Sequence, residues 1–252
     1  METLIEATTL YRFANLYFIL ALGIITARKH GSINTKQAEQ LLFTPENLVY
    51  LEHIPELSPA CLKIQRMGLE IKTAEDISPA KLNEYLQELQ ILLLNHLADY
   101  LEICDNTLFL FYPNVSPKTK RNRERFLARQ YTHTRTIIQS NCKKDYEYMY
   151  LILALGAITA RQYEKISTDQ AEQLLFTPRS LYYLRNMHNI HYRCIEIQLM
   201  GLEIEDIESL LPEELNDYLQ KMQNMTLKEL KLIRYAQCST NILRLRIIAP
   251  PD

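Results

Sequence analysis

Apolar side chains along this chain recur at helical spacing, and their runs stop at signals that end or restart helices. The longest run extends from Leu16 to Ala27. A bilayer requires about 20 residues, more than this run holds, so it predicts a helix buried in a core. Asn34-Thr35-Lys36-Gln37 and Ser167-Thr168-Asp169-Gln170 each place Gln three positions after a short polar N-cap, a capping box. Thr44-Pro45, Thr177-Pro178, Ser58-Pro59 and Ser78-Pro79 set an N-cap before a proline at the first helical position. A long helix is predicted from Ser78 through about Cys104, and Pro212-Glu213-Glu214 opens its counterpart. Gly68 and Gly201 fit helix C-termini. The period changes at Thr107 to Tyr112 and at Asn241 to Ile247, which read as strands. In the second, Leu243, Leu245 and Ile247 alternate with Arg244 and Arg246. A lone strand is not stable, so the two are expected to pair with each other as a two-stranded β ribbon.

The same pattern occurs twice. YFILALGIITAR (17–28) returns as YLILALGAITAR (150–161), QAEQLLFTP (37–45) at 170–178, and IQRMGLEI (64–71) as IQLMGLEI (197–204), all at one constant offset. Residues 17–90 set against 150–223 give 40 identities in 74 pairs. Only duplication produces that agreement, and its period excludes a solenoid, whose repeats run about 20–50 residues. Small residues four apart, at Gly23 and Ala27 and again at Gly156 and Ala160, leave a groove for close helix approach. The predicted fold is mainly α, with two tandem homologous helical halves related by a pseudo-twofold and the β ribbon formed by their ends. The expected domains are a first repeat (1–115), a basic helical connector (116–148) and a second repeat (149–252).

Composition supports this class, since only 5 glycines in 252 residues leave few of the turns that all-β folds need. The start of the chain lacks the basic segment and cleavage site of a secretory signal. Five cysteines, an odd number without a C-x-x-C pair, suit a reducing compartment. A soluble cytoplasmic protein is expected. Net charge is −2, but residues 1–115 carry −6, residues 116–148 carry +6 and residues 149–252 carry −2. Lys118, Lys120, Arg121, Arg123, Arg125 and Arg129 crowd into the start of the connector. They form either a helix facing the acidic first half or a phosphate-binding site for nucleic acid.

An acidic run marks the second half: Glu203, Glu205, Asp206 and Glu208, then Glu213, Glu214 and Asp217. The first half has Lys72 and Lys81 where the second has Glu205 and Glu214. Arg28 and Arg161 read as cations closing a buried helix. His188 and His191 form the only close histidine pair and lack further ligands at metal spacing, so a surface turn is expected. No phosphate loop, nucleophile elbow or metalloprotease motif occurs. Cys61 and Cys194 match between halves within apolar patterns and read as core. Neither enzyme activity, cofactor nor metal is expected.

Ile166-Ser167-Thr168-Asp169-Gln170-Ala171-Glu172-Gln173-Leu174-Leu175-Phe176-Thr177-Pro178, followed by Gly201-Leu202-Glu203-Ile204-Glu205-Asp206-Ile207-Glu208-Ser209-Leu210-Leu211-Pro212, resembles a family of uncharacterised small bacterial proteins about one half-unit long. The likeness covers most of 150–223 and, more weakly, 17–90. There Ile71-Lys72-Thr73-Ala74-Glu75-Asp76 departs from the acidic segment. More loosely, the chain is similar in type to immunity proteins of contact-dependent growth inhibition and related toxin systems, many of them small, acidic, cytosolic and non-enzymatic. That likeness implies an antitoxin that binds and occludes a basic nuclease domain. Glu203, Glu205, Asp206, Glu208, Tyr182 and Tyr183 are then the partner-binding residues, and the chain is a monomer containing an internal pseudo-dimer. The alternative is an RNA- or DNA-binding regulator using residues 118–135.

Overall fold

The structure is a computed structural model that describes residues 3–7, 10–101, 110–112, 135–140, 143–186, 190–233 and 244–248. The first half contributes β1 (Thr3–Ala7), α1 (Leu10–Lys29), α2 (Thr35–Leu41), α3 (Pro45–Glu52), α4 (Pro59–Leu69), α5 (Ile71–Ile77), α6 (Pro79–Leu101) and β2 (Leu110–Tyr112). The second repeats the series as β3 (Arg135–Ser140), α7 (Lys143–Gln162), α8 (Thr168–Leu174), α9 (Pro178–Asn186), α10 (Tyr192–Leu202), α11 (Ile204–Leu210), α12 (Leu215–Leu232) and β4 (Arg244–Ile248). A 3-10 turn at Pro212–Glu214 precedes α12.

The local signals act as their chemistry requires. Asn34 and Ser167 close reciprocal capping boxes with Gln37 and Gln170. Thr44 accepts from the Asn47 amide at 3.1 Å and Thr177 from the Ser180 amide at 3.0 Å, each just before its proline. Among the described residues no helix is long and apolar enough to cross a membrane.

The sheet corrects the expected ribbon. Both segments do contain strands, β2 and β4, but these lie at opposite edges of a four-stranded sheet of order β2-β1-β3-β4. Its described pairs are all antiparallel. The two central strands, β1 and β3, stand directly before the apolar helices, and the helical pattern masked them. Ile5 faces Ile138, its own counterpart in the other repeat, and the β1–β3 register runs symmetrically from Thr3↔Ser140 to Ala7↔Thr136. Each half thus supplies one antiparallel pair of strands drawn from either end of its helical series, and the pairs join at equivalent strands. Two strands alone are marginal in water, whereas four give each pair a neighbour. Residues 135–140 of the expected basic helical connector are therefore a strand, and Lys143 onward belongs to α7. Residues 116–134 of the connector lie outside the described residues.

The core is built on α1 crossing α7. Leu16, Tyr17, Phe18 and Leu20 on one helix, and Leu151, Ala154, Leu155 and Ile158 on the other, are fully enclosed. A Cβ on Gly23 would stand 2.0 Å from the Ile152 carbonyl oxygen, and one on Gly156 would stand 2.1 Å from that of Ile19. Ile19 and Ile152 are also equivalent positions of the two repeats, so the crossing contacts recur with the halves exchanged, as a pseudo-twofold requires. Helix α6 packs on α1 and α12 on α7, while α5 and α11 lean on those outer helices.

Gly68 and Gly201 stand in the last turns of α4 and α10, one residue before those helices end, but neither has the left-handed backbone expected of a glycine cap. Their missing side chains admit aromatic rings: a Cβ would come within 2.0 Å of the Phe43 ring and 2.1 Å of the Phe176 ring. Gly201→Ala should cost about 2 kcal/mol by overpacking, and Phe176→Leu in the same chain should recover part of it. Equilibrium denaturation measures both. An alanine tolerated without loss would show that the ring moves freely.

The turn carrying those rings is held by a buried amide. Gln65 donates to the Leu42 and Thr44 carbonyls at 3.1 and 3.0 Å and accepts from the Tyr17 hydroxyl at 2.7 Å. Gln198 does the same for Leu175, Thr177 and Tyr150, at 3.3, 3.1 and 2.9 Å. Burial holds the Tyr17 and Tyr150 hydroxyls well above their ordinary pKa, so each stays a neutral donor. Cys61 and Cys194 are enclosed, and burial pushes both thiols up, which leaves them inert.

Candidate functional site

The last turn of α7 carries Arg161, which the fold consumes. Its Nε donates to Thr168 Oγ1 at 2.8 Å and its Nη2 to Glu208 Oε1 at 2.7 Å. Arg28 makes the same two bonds with Thr35 and Glu75, both at 2.8 Å. Glu203 has a similar task, accepting from the Tyr218 hydroxyl at 2.8 Å, as Glu70 accepts from Tyr85 at 3.0 Å. Two of the four acids expected to meet a partner are thus structural, with a counterpart doing the same work in the first half.

Glu205 and Asp206 are different. Both are exposed, at the start of α11, and their counterparts are Lys72 and Thr73. The Glu205 amide donates to Glu172 Oε1 of α8 at 3.2 Å, which brings α8 and α11 together. Burial raises the Glu172 carboxyl above its ordinary pKa; the Glu205 amide opposes this, and the charges of Glu205, Asp169 and Asp206 add to it. Asp169, Glu172, Glu205 and Asp206 therefore form one acidic face. At the same place the first half has Lys36, Glu39, Lys72 and Thr73. There Lys72 reaches Asp76 at 2.6 Å and Glu75 at 3.3 Å. Burial works to raise Glu75, but Lys72, Thr35 and Arg28 together hold it below its ordinary value.

A carboxyl whose pKa is raised on folding binds its proton more tightly in the folded chain. The contribution of Glu172 to stability therefore falls as pH rises from 4.5 through the folded value. Glu172→Gln keeps an acceptor for the Glu205 amide and should remove that part of the slope. At pH 7 it should leave the chain equally stable or better by less than about 1 kcal/mol, as suits a partly exposed charge. Denaturation at a series of pH values reads this, and an unchanged slope would show that the cluster does not act on Glu172.

Tyr182 is 65% exposed, yet it does not join the acidic face. It stands on α9, which packs on α10, whereas α11 packs on α8, α10 and α12. Its exposed neighbours on α9 are Arg179 and Arg185. Tyr183 shares that helix, and its side chain lies outside the described residues. Lys118, Lys120, Arg121, Arg123, Arg125 and Arg129 lie outside them as well.

Sequence reading missed two buried carboxylates, Glu147 on α7 and Glu229 on α12. The His191 amide donates to Glu147 Oε1 at 2.8 Å, and Glu229 Oε1 stands 2.8 Å from His191 Nδ1, out of line for a hydrogen bond. The expected surface turn at His191 is thus an anchored helix start, carrying the N-cap of α10. The first half has Ala14, Ser58 and His96 at these positions, so this anchor arose in one half only. Its sole sequence signal was the mismatch itself: a carboxylate standing where the other half is apolar. Beside Arg161 lies an open hollow of about 370 Å³ lined by Arg161, Glu164, Lys165, Ile166, Ser167 and Gln170. Among the described residues no group of three or more His, Cys, Asp or Glu side chains could hold a metal ion.

A family model matches the chain twice, over residues 11–108 and 141–244; its description reads "Protein of unknown function (DUF3969)". No curated protein and no solved structure matches the chain.

Proposed function

Because the chain belongs to this family, with two copies of its unit in tandem, we propose a function from the surface that only the second copy carries. The chain is a non-enzymatic protein-binding module that takes a basic partner on the acidic face of α8 and α11. Its concrete form is an immunity protein: an antitoxin that occludes the substrate cleft of a nuclease toxin of a contact-dependent growth inhibition or related system.

One observation supports this reading above the others. Asp169, Glu172, Glu205 and Asp206 gather where the first half has Lys36, Glu39, Lys72 and Thr73. The two halves share their core, so the first half is an internal control showing that the fold does not need the like charges. Like charges held close cost stability, and a binding surface is a reason to keep them. Nuclease clefts are basic because they hold phosphates, and an opposed acidic face speeds encounter and selects orientation.

The reading requires a toxin reading frame beside the one for this chain, and co-expression with the C-terminal domain of that toxin tests the proposal. The wild-type chain should restore growth. Glu205→Lys with Asp206→Lys, both at exposed positions, should abolish rescue without lowering the thermal midpoint. Failure of the wild type to rescue, or full rescue by the doubly reversed chain, would overturn it.

A further inference from the structure

The second half departs from the first at the junction of α11 with α12. In the first half Ser78 caps α6 there, its hydroxyl accepting from the Lys81 amide at 3.1 Å, and α6 begins at Pro79. The counterpart of Ser78 is Leu211, which has no atom that can cap. The turn that follows is 3-10, and α12 starts only at Leu215, the counterpart of Leu82. A hydroxyl that satisfied a helix amide has thus given way to an apolar side chain, which a helix start does not favour. Leu211 is 39% exposed. Beside it Leu210 is 76% exposed, more than any other large apolar side chain among the described residues. Its counterpart Ile77 is also exposed, but the capping serine follows it. The charges change at the same place. The first half pairs Lys72 with Asp76 at 2.6 Å and Lys81 with Glu84 at 3.4 Å. Glu205, Ser209, Glu214 and Asp217 occupy those four positions, and Glu213 replaces Ala80. Asp206 lies one helical turn before Leu210 on the same side of α11, and Glu213, Glu214 and Asp217 follow Leu211 closely, all of them exposed. No Lys or Arg occurs between Arg193 and Lys221.

We propose that Leu210 and Leu211 are the apolar anchor of the toxin contact, entering a pocket on the partner whose rim carries Lys and Arg. The inference rests on the reading of the acidic face given above and adds what holds the partner there. Exposed carboxylates are screened by water and salt and contribute little affinity by themselves. They speed encounter and set orientation, whereas apolar side chains buried at the centre of a contact hold it. A purely apolar partner would accept the leucines and leave the carboxylates around them unmatched. A cleft for single-stranded nucleic acid matches both, because it combines cations along the backbone with apolar or aromatic walls that hold bases. Leu210 and Leu211 then take the place of a base, and Glu205, Asp206, Glu213, Glu214 and Asp217 take the place of phosphates. The chain and an oligonucleotide therefore exclude one another from the toxin.

Binding of the full chain to the C-terminal domain of the neighbouring toxin, read by calorimetry and by association kinetics, tests this. L210A/L211S returns position 211 to the residue type of the first half. It should weaken binding about 100-fold, through faster release. Its association should be as fast as that of the wild type and its thermal midpoint no lower. E205K/D206K should instead slow association steeply. A single-stranded oligonucleotide bound by the toxin domain should be displaced by the wild-type chain. Wild-type affinity in L210A/L211S, beside a loss in E205K/D206K, would overturn the anchor and leave the acidic face standing. A lower thermal midpoint in L210A/L211S would show that the leucines serve the fold, and would overturn it as well. So would a toxin domain that holds oligonucleotide and chain together. A wild-type chain that does not bind the toxin domain overturns both the anchor and the reading on which it rests.

Discussion

Gly23→Ala should cost about 3 kcal/mol, despite alanine being the better helix former by about 1 kcal/mol. The added methyl would meet the Ile152 carbonyl oxygen at 2.0 Å, its carbon at 2.9 Å and the Gly156 amide nitrogen at 3.1 Å. All three are backbone atoms, so no rotamer change relieves the clash and α1 must separate from α7. That separation loosens the enclosed side chains around the crossing. Gly156→Ala should cost about the same, because it meets the Ile19 carbonyl at 2.1 Å in the mirrored contact. The double variant should lose less than the sum, since one separation admits both methyls. Urea denaturation of the three variants measures this. A gain in stability from either single substitution would show that the helices do not meet there.

Gln65→Leu should cost about 3 kcal/mol, or a fall of about 10 °C in Tm for a chain of this size. It strands the buried Tyr17 hydroxyl and takes one donor each from the Leu42 and Thr44 carbonyls. Those carbonyls keep other donors, the Thr44 amide and the Asn47 side chain for Leu42 and the Leu48 amide for Thr44, so the hydroxyl is the larger loss. Tyr17→Phe should cost only about 1 to 2 kcal/mol, because Gln65 keeps its bonds to both carbonyls. Adding Tyr17→Phe to Gln65→Leu should recover part of the loss, since no hydroxyl is then stranded. Gln198→Leu and Tyr150→Phe should repeat the pattern in the second half. Equal losses from the Gln and Tyr variants would mean that the bonds from the amide to the carbonyls add nothing, and its bridging role would be wrong.

These two sites show where sequence reading reached and where it stopped. Gly23 and Gly156 were legible as close-approach residues, because small side chains four apart on a helix have few other uses. Gln65 was invisible: a polar residue in an apolar run resembles any solvated position until Leu42, Thr44 and Tyr17 close around it. Gly68 was placed correctly at a helix C-terminus, but its purpose was misread for a similar reason. Glycine near a helix end suggests a cap, and the Phe43 ring that needs its space comes from the turn between α2 and α3. The ribbon failed because β1 and β3 run straight into apolar helices, which hides two short strands within longer periodic segments.

The candidate site divides along the same line. The acidic composition of α11 was plain, but Glu203 and Glu208 proved to be occupied by Tyr218 and Arg161. The face gained Asp169 and Glu172 from α8 instead. Tyr182 moved to a different surface, among arginines.

A short window of sequence suffices for whatever neighbours within one or two helical turns settle: capping boxes, proline starts, the buried faces of helices. The duplication is equally plain, since it needs only the chain set against itself. Capping and amphipathic contacts join residues three or four apart, so such a window contains both partners. Folding of the whole chain was needed to set which strands pair, which glycines make room and for what, and which carboxylates share a face. Each of these couples residues far apart in the chain, as Glu172 with the Glu205 amide or Ile5 with Ile138. The energy of such a contact exists only once the intervening chain has folded to bring its two ends together.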